Sequence, residues 1–219
     1  MHSFRQHGAI AYDDRILTWY TNKRKVSIWS VGNRLQIPYQ AGDRQYELLR
    51  SRQGETDLVY RHEKFYLLAV CDIPDPDERD VDAALGIDLG VVNIATTSDG
   101  ETQTSATIEK NRLKHQRLRS QLQRVGTKSS RRHLKKLAGK QARFQRDVNH
   151  CISKHLVSEA ERTNRAIALE DLMGIRSRTR VKGKEQRAKY SNWSFAQLRD
   201  YITYKAKLAG IPLVLVNPA

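Results

Sequence analysis

Over the first eighty positions apolar residues come in short runs broken by charged and turn-forming ones, the pattern of a β-rich segment. Residues 16–20 and 26–31 have the β-branched and aromatic composition of strands and flank the charged turn Asn22, Lys23, Arg24, Lys25. Residues 35–38 follow as a short strand, and 57–60 with 65–70 read as a hairpin closed by Arg61, His62, Glu63 and Lys64. Several short strands of this kind predict a small, partial β-barrel over residues 1–80. The acid-rich stretch 72–82, which holds Pro74 and Pro76, reads as a linker.

Beyond it the period changes. Residues 84–89 and 91–97 are strand-like around Gly90, Ser98-Asp99-Gly100 is a turn signal, and 102–108 supplies a third strand. Residues 109–123 and 131–162 are helical, broken at 126–130. Val148, Ile152, Leu156 and Ala160 recur every four positions and form a core-facing stripe. Residues 165–169 are a strand, 176–191 a basic loop, 193–208 a helix ended by Gly210, and 211–216 a last strand. Three strands, helices, then strand, helix, strand is the order of an RNase H-like α/β domain, placed over residues 81–219. No internal repeat is visible.

Charge sharpens this division. The chain has 219 residues with 39 Lys+Arg against 24 Asp+Glu, a formal charge of +15. Residues 1–83 hold 12 basic and 13 acidic side chains and residues 84–219 hold 27 and 11, so the whole excess lies in the second part. Residues 110–146 carry 14 Lys or Arg and no acid. Such a run repels itself unless a polyanion neutralises it, and counterion release makes nucleic acid the expected partner. The candidate contacts are Lys110, Arg112, Lys114, Arg117, Arg119, Arg124, Lys128, Arg131, Arg132, Lys135, Lys136, Lys140 and Arg143. A solvated basic helix face is the plainer alternative. The segment has few large apolar groups to insert into lipid, and no run approaches a bilayer span, so no membrane partner is expected. The start shows no apolar signal-peptide region, and Cys71 and Cys151 form no metal-type pair, so a reducing, cytoplasmic setting is expected. Nucleophile-elbow, Walker and CxxC motifs are absent, and no small-molecule substrate is expected.

Two strands carry an acid in an unusual setting. Alternation puts Leu85, Ile87 and Leu89 on one face and Gly86, Asp88 and Gly90 on the other. Ile167 and Leu169 likewise oppose Ala166, Ala168 and Glu170. Each strand offers large residues to a core and a carboxylate among small ones to the opposite side, where hydrated Mg²⁺ and a phosphate could approach. If the strands are neighbours, phosphodiester hydrolysis becomes the natural chemistry. Each acid taken alone reads first as a turn or salt-bridge residue, and it is the matched pair beside a basic segment that favours a metal site. Asp171 points to the opposite face, Asp99 is a turn residue, and His150 and His155, five apart, are packed or surface histidines.

Gly86-Ile87-Asp88-Leu89-Gly90, Ile167-Ala168-Leu169-Glu170-Asp171-Leu172, Trp193 to Leu198, Tyr204-Lys205-Ala206 and Val216-Asn217-Pro218-Ala219, in this order and spacing, resemble the TnpB-type (OrfB) transposon-encoded proteins. The β-rich part resembles the later half of that family's oligonucleotide-binding barrel. The resemblance implies an RNA-guided DNA endonuclease with a RuvC-like domain, a guide RNA and target DNA as partners, and a nucleoid-associated life in a prokaryotic cytoplasm. It assigns Asp88 and Glu170 as catalytic, Mg²⁺-binding acids of a two-ion site, Asp88 bridging both ions and Glu170 holding one. It also implies a zinc ribbon and a third acid lying after the Asn-Pro-Ala stretch at which this sequence stops. Zinc is therefore not expected in this chain, and its cleavage is expected to be poor. Two other readings remain: a non-catalytic nucleic-acid-binding remnant or transposition accessory protein, and an ATPase of the sugar kinase and chaperone superfamily. The second shares the Gly-Ile-Asp-Leu-Gly strand but needs a second glycine-rich phosphate loop, which the sequence lacks.

Overall fold

The computed structural model describes residues 7–90, 92–170 and 195–216. The chain divides into two compact units, residues 1–74 and 75–219. In the first, β1 (Ile10–Tyr12) pairs with the hairpin β5 (Arg52–Arg61) and β6 (Lys64–Cys71). A second sheet is the antiparallel meander β2 (Leu17–Tyr20), β3 (Lys25–Trp29) and β4 (Arg34–Pro38). The β5–β6 turn is made by His62 and Glu63, both at positive φ, within the four residues the sequence marks as a turn. Leu17, Val26 and Ile28 are buried against Tyr12, Trp19, Tyr39 and Leu67, so side chains from both sheets share one core. The Trp19 indole donates to Thr56 Oγ1 across it at 3.1 Å. β1 and the short helix α1 (Asp43–Leu48) lie where the sequence pattern marks no element; neither is long enough to establish a period.

In the second unit, β7 (Ala84–Asp88), β8 (Asn93–Thr97) and β9 (Thr102–Thr104) form an antiparallel meander. Two long helices follow, α2 (Ala106–Val125) and α3 (Lys128–Arg162), then β10 (Ala166–Glu170), α4 (Phe195–Leu208) and β11 (Leu213–Val216). The sheet order is β11-β10-β7-β8-β9, with β10 parallel to both β7 and β11. Ile152, Leu156, Val157 and Ala160 of α3 and Leu198, Ile202 and Ala206 of α4 bury themselves against Leu85, Ile87, Leu89, Ile167 and Leu169. The expected stripe on α3 is thus the core face, with Val148 partly buried at its edge. Where the two helices meet, Asn149 donates to Gln197 at 2.8 Å, and the Lys205 ammonium donates to the His150 carbonyl and the Ser153 hydroxyl, each at 2.7 Å.

Two boundaries differ from the sequence reading. The third strand ends at Thr104 and α2 begins at Ala106, where Glu109 in the first turn favours a helix start over further extension. The break between helices is also shorter than 126–130. Gly126 at φ 67° ends α2, and Thr127 caps α3 by accepting from Ser130 N at 3.2 Å.

Residues of the acid-rich stretch from Asp75 onward are tied down within the second unit. The Arg79 backbone N–H donates to the Gly210 carbonyl, its side chain donates to the Ala209 carbonyl, and it pairs with Glu161 at 2.6 Å. Asn164 donates to the Asp80 carbonyl and Lys207 pairs with Asp75. Gly210, at φ 67°, leaves no room for a side chain: an added Cβ would lie 2.5 Å from the Asp77 carbonyl oxygen.

Candidate metal and nucleic-acid site

Leu85 and Leu169 are fully buried, and alternation turns Asp88 and Glu170 to the face of the sheet away from α3 and α4. β7 and β10 are parallel neighbours whose register pairs Ile87 with Leu169, so the next residues along, Asp88 and Glu170, emerge together at the carboxyl ends of both strands. Their carboxyl groups are in hydrogen-bonding reach. Burial pushes the Glu170 carboxyl above the usual carboxylate range, and the Asp88 charge and a hydrogen bond with Asp88 push it further the same way. Two acids held this close favour sharing a cation or a proton over standing ionised side by side.

The surroundings are small. Gly86 and Ala168 precede the two acids on the same face, and Thr96, paired with Asp88 across β8, places a hydroxyl-bearing residue beside it. An alanine at 86 would meet Ser98 only at an ordinary 3.5 Å, so packing does not demand glycine there. Gly90 is different, since a Cβ would lie 2.7 Å from the Asn93 carbonyl oxygen. Thr96 carries no motif signal; only the β7–β8 register, which the sequence pattern does not determine, brings it to Asp88.

Among the described residues no third acid, histidine or cysteine joins the pair as a ligand cluster. His155 bonds Glu101 at 2.7 Å, and the His150 ring stacks on Tyr201 at 4.0 Å, in line with their reading as packed or surface groups. Asp99, in its turn, accepts two bonds from Arg165, which holds its carboxyl below the ordinary range. Asp171, Trp193, the basic loop 176–191 and the Asn217-Pro218-Ala219 end lie outside the described residues.

The cationic run forms most of α2 and the first half of α3. Lys110, Lys114, Arg117, Arg124, Lys128, Arg131, Arg132, Lys135, Lys136, Lys140 and Arg143 are all exposed. Arg112 is half-buried and pairs with Glu109, and Arg119 donates to Gln141 of α3 at 3.1 Å, so these two also serve contacts within the chain. On α3, Lys128, Arg132, Lys135 and Arg143 occupy the side opposite buried Ser130 and Leu137. His115 sits between the cations of both helices, and burial, then Lys140, Lys114 and Arg119, push its imidazole below the ordinary value.

A family model described as "Probable transposase" (OrfB, IS605 type) matches residues 67–176, half of the chain, a span that contains both acids and both basic helices. A TnpB-like protein of Methanocaldococcus jannaschii is 32% identical over 144 residues, covering 61% of this chain and 52% of that protein. The CRISPR-associated endodeoxyribonuclease Cas12f1 of Syntrophomonas palmitatica is 24% identical over 185 residues, covering 76% of this chain and 36% of that one. A solved chain in the cryo-EM structure of a Cas12f1–sgRNA–target DNA complex shares the fold with a TM-score of 0.58 at 18% identity, over 82% of this chain and 39% of that one. The chain thus spans about half the length of the first relative and less of the others. With the model spanning half of its residues, this chain belongs to the OrfB/IS605 transposase family.

Proposed function

We propose that the second unit is a RuvC-like nuclease domain of the RNase H fold, and that the chain acts within an RNA-guided DNA endonuclease of the TnpB kind. The observation that carries this reading is the meeting of Asp88 and Glu170 at the ends of adjacent parallel strands. A three-stranded meander with two parallel strands added beside its first strand is the order expected of that fold. The names of the relatives, one TnpB-like and one an endodeoxyribonuclease, agree with it. On this reading the β-rich unit is part of an oligonucleotide-binding barrel.

Two carboxylates on an open face fit Mg²⁺, a hard cation held by one or two protein carboxylates with its other positions left to water and phosphate oxygens. Bound there, the ion would supply charge neutralisation at the scissile phosphate and a more acidic water. The chain itself holds Asp88 and Glu170 together, keeps Gly86 and Ala168 low so that a sugar-phosphate backbone can approach, and places Thr96 beside Asp88. The exposed cations of α2 and α3 take the phosphates of guide RNA and target DNA, contacts that position a strand without reading its sequence.

A second reading is a non-catalytic nucleic-acid-binding remnant, favoured by the absence of a third ligand among the described residues. The deciding experiment incubates the purified chain with labelled DNA and a family guide RNA, with and without Mg²⁺. Mg²⁺-dependent cleavage lost in Asp88→Ala supports the nuclease. Salt-sensitive binding with no cleavage above the Asp88→Ala background supports the remnant.

A further inference from the structure

The face that carries Asp88 and Glu170 is not symmetric about them. Strand register lays one row of side chains across all five strands at the level of the acids. Val216 of β11 stands opposite Glu170, Thr96 of β8 opposite Asp88, and Thr102 of β9 opposite Thr96. One pleat away the next row runs Val214, Ala168, Gly86 and Ser98. Side chains two apart on a strand, and those directly opposed across strands, point to the same face. The β11 flank of the acids is therefore aliphatic, with Val214 54% and Val216 49% exposed, and the β8–β9 flank carries hydroxyls.

Opposed Cβ atoms lie about 4.5–5.5 Å apart, so Thr96 stands one such step from Asp88 and Thr102 two, about 10 Å away. Thr102 is exposed and Thr96 half-buried. Among the described residues, neither hydroxyl takes a partner within the chain. The hydroxyls beside them are in use. Thr97 Oγ1, turned to the core side, accepts from Glu101 N at 3.2 Å, and Ser98 Oγ accepts from Gly86 N at 3.3 Å. Neither row holds a lysine or arginine. A cation there would pair with Asp88 and compete with a metal ion for it. A neutral hydroxyl donates to a phosphate oxygen and leaves both carboxylates free.

We infer that the Thr96 and Thr102 hydroxyls hold the sugar-phosphate backbone of the strand lying over the acids, so that this strand leaves the site across β8 and β9 and not across β11. Thr96 donates to the phosphate beside Asp88, and Thr102, one step further out, to the next linkage. Such contacts fix the register of a strand without reading its bases. Val214 and Val216 offer no donor, so a charged backbone on their side would lose water and gain nothing in return. The inference deepens the nuclease reading and rests on it, since it needs a backbone held over Asp88 and Glu170. Threonine is also an ordinary residue of a solvent-facing strand. Valine keeps its shape and strand preference and removes only the hydroxyl, which separates the two roles.

The test is binding of the full chain to fluorescein-labelled tetrathymidylate, a short probe that limits contacts elsewhere, read by anisotropy with and without Mg²⁺. Mg²⁺ should tighten binding to the parent, and Asp88→Ala should abolish that gain. Thr96→Val should weaken binding in Mg²⁺ about tenfold, as expected for a lost hydrogen bond to a charged group. Metal-free affinity should stay within about twofold, because the bare carboxylates repel a phosphate from the row. Thr96→Ser should return affinity in Mg²⁺ to within about twofold of the parent, since the donor is restored. Thr102→Val should weaken the Mg²⁺ complex in the same way, and Val216→Ala should not. A Mg²⁺ gain that survives intact in both valine variants overturns this inference and leaves the nuclease reading standing, as does a loss that is equal with and without the ion. A parent whose affinity ignores Mg²⁺ overturns both.

Discussion

Replacing Lys128, Arg132, Lys135 and Arg143 together by alanine should flatten the salt dependence of nucleic-acid binding without unfolding the protein. All four are exposed on α3. At about 100° per residue they fall within about 80° of one another, on the side away from buried Ser130 and Leu137. At a rise of about 1.5 Å per residue they span about 22 Å, long enough for each to meet its own phosphate. Alanine costs the helix nothing in propensity and relieves repulsion between like charges one turn apart. Each phosphate contact on a duplex contributes about 0.9 to the slope of log K against log salt, so losing four removes up to about 3.6. Between about 50 and 200 mM salt that slope amounts to about two orders of magnitude in affinity. Fluorescence anisotropy with labelled duplex DNA and structured RNA reads the slope, and a thermal melt confirms the fold. A slope changed by less than about 1 in a variant that melts like the parent would show that α3 is a solvated helix and not a phosphate-binding surface.

Three further outcomes follow from packing and titration. Gly210→Ala must place a side chain at φ 67° and 2.5 Å from the Asp77 carbonyl oxygen. The backbone conformation alone costs about 1–2 kcal/mol, and a thermal melt should fall by several degrees. Leu169→Ala empties a fully buried position beneath Glu170 and should cost about 2–5 kcal/mol by chemical denaturation. His115 and His150 are both pushed below the ordinary histidine value of 6.5, by burial first and by neighbouring lysines and arginines second. The fold therefore prefers their neutral rings, and the stability this gives is complete above 6.5 and drains as pH falls through the lowered values. His150→Phe, which keeps a ring on Tyr201, should lose less melting temperature than the parent when pH is lowered past 6.5.

The strands that bear the acids were legible because alternation of large and small residues over five or six positions has one physical solution on a sheet covered on a single side. Pairing between them was not. Local pattern cannot tell that β10 docks beside β7 instead of at an outer edge, and Thr96 enters the site only through strand register. The α3 stripe was legible because 35 residues give the helical period time to declare itself. The α2 start was not, since 102–108 is polar and mixed, and only the acidic Glu109 in the first turn marks where the helix begins. Charge misled in one place. Summed over residues 1–83 the balance is −1, which conceals a run from Arg15 to Gly42 with five cations and no acid.

The nuclease reading requires Asp88 and Glu170 to face one another, and the stability of Glu170→Gln against Mg²⁺ concentration tests that contact directly. Without metal, at a pH where both acids are ionised, the variant loses a like-charge contact worth about 1 kcal/mol and should melt about 2–4 °C above the parent. Added Mg²⁺ should raise the melting temperature of the parent and leave the variant nearly unmoved, closing the gap. A variant no more stable than the parent without metal, together with a parent that ignores Mg²⁺, would mean the two acids do not share a site.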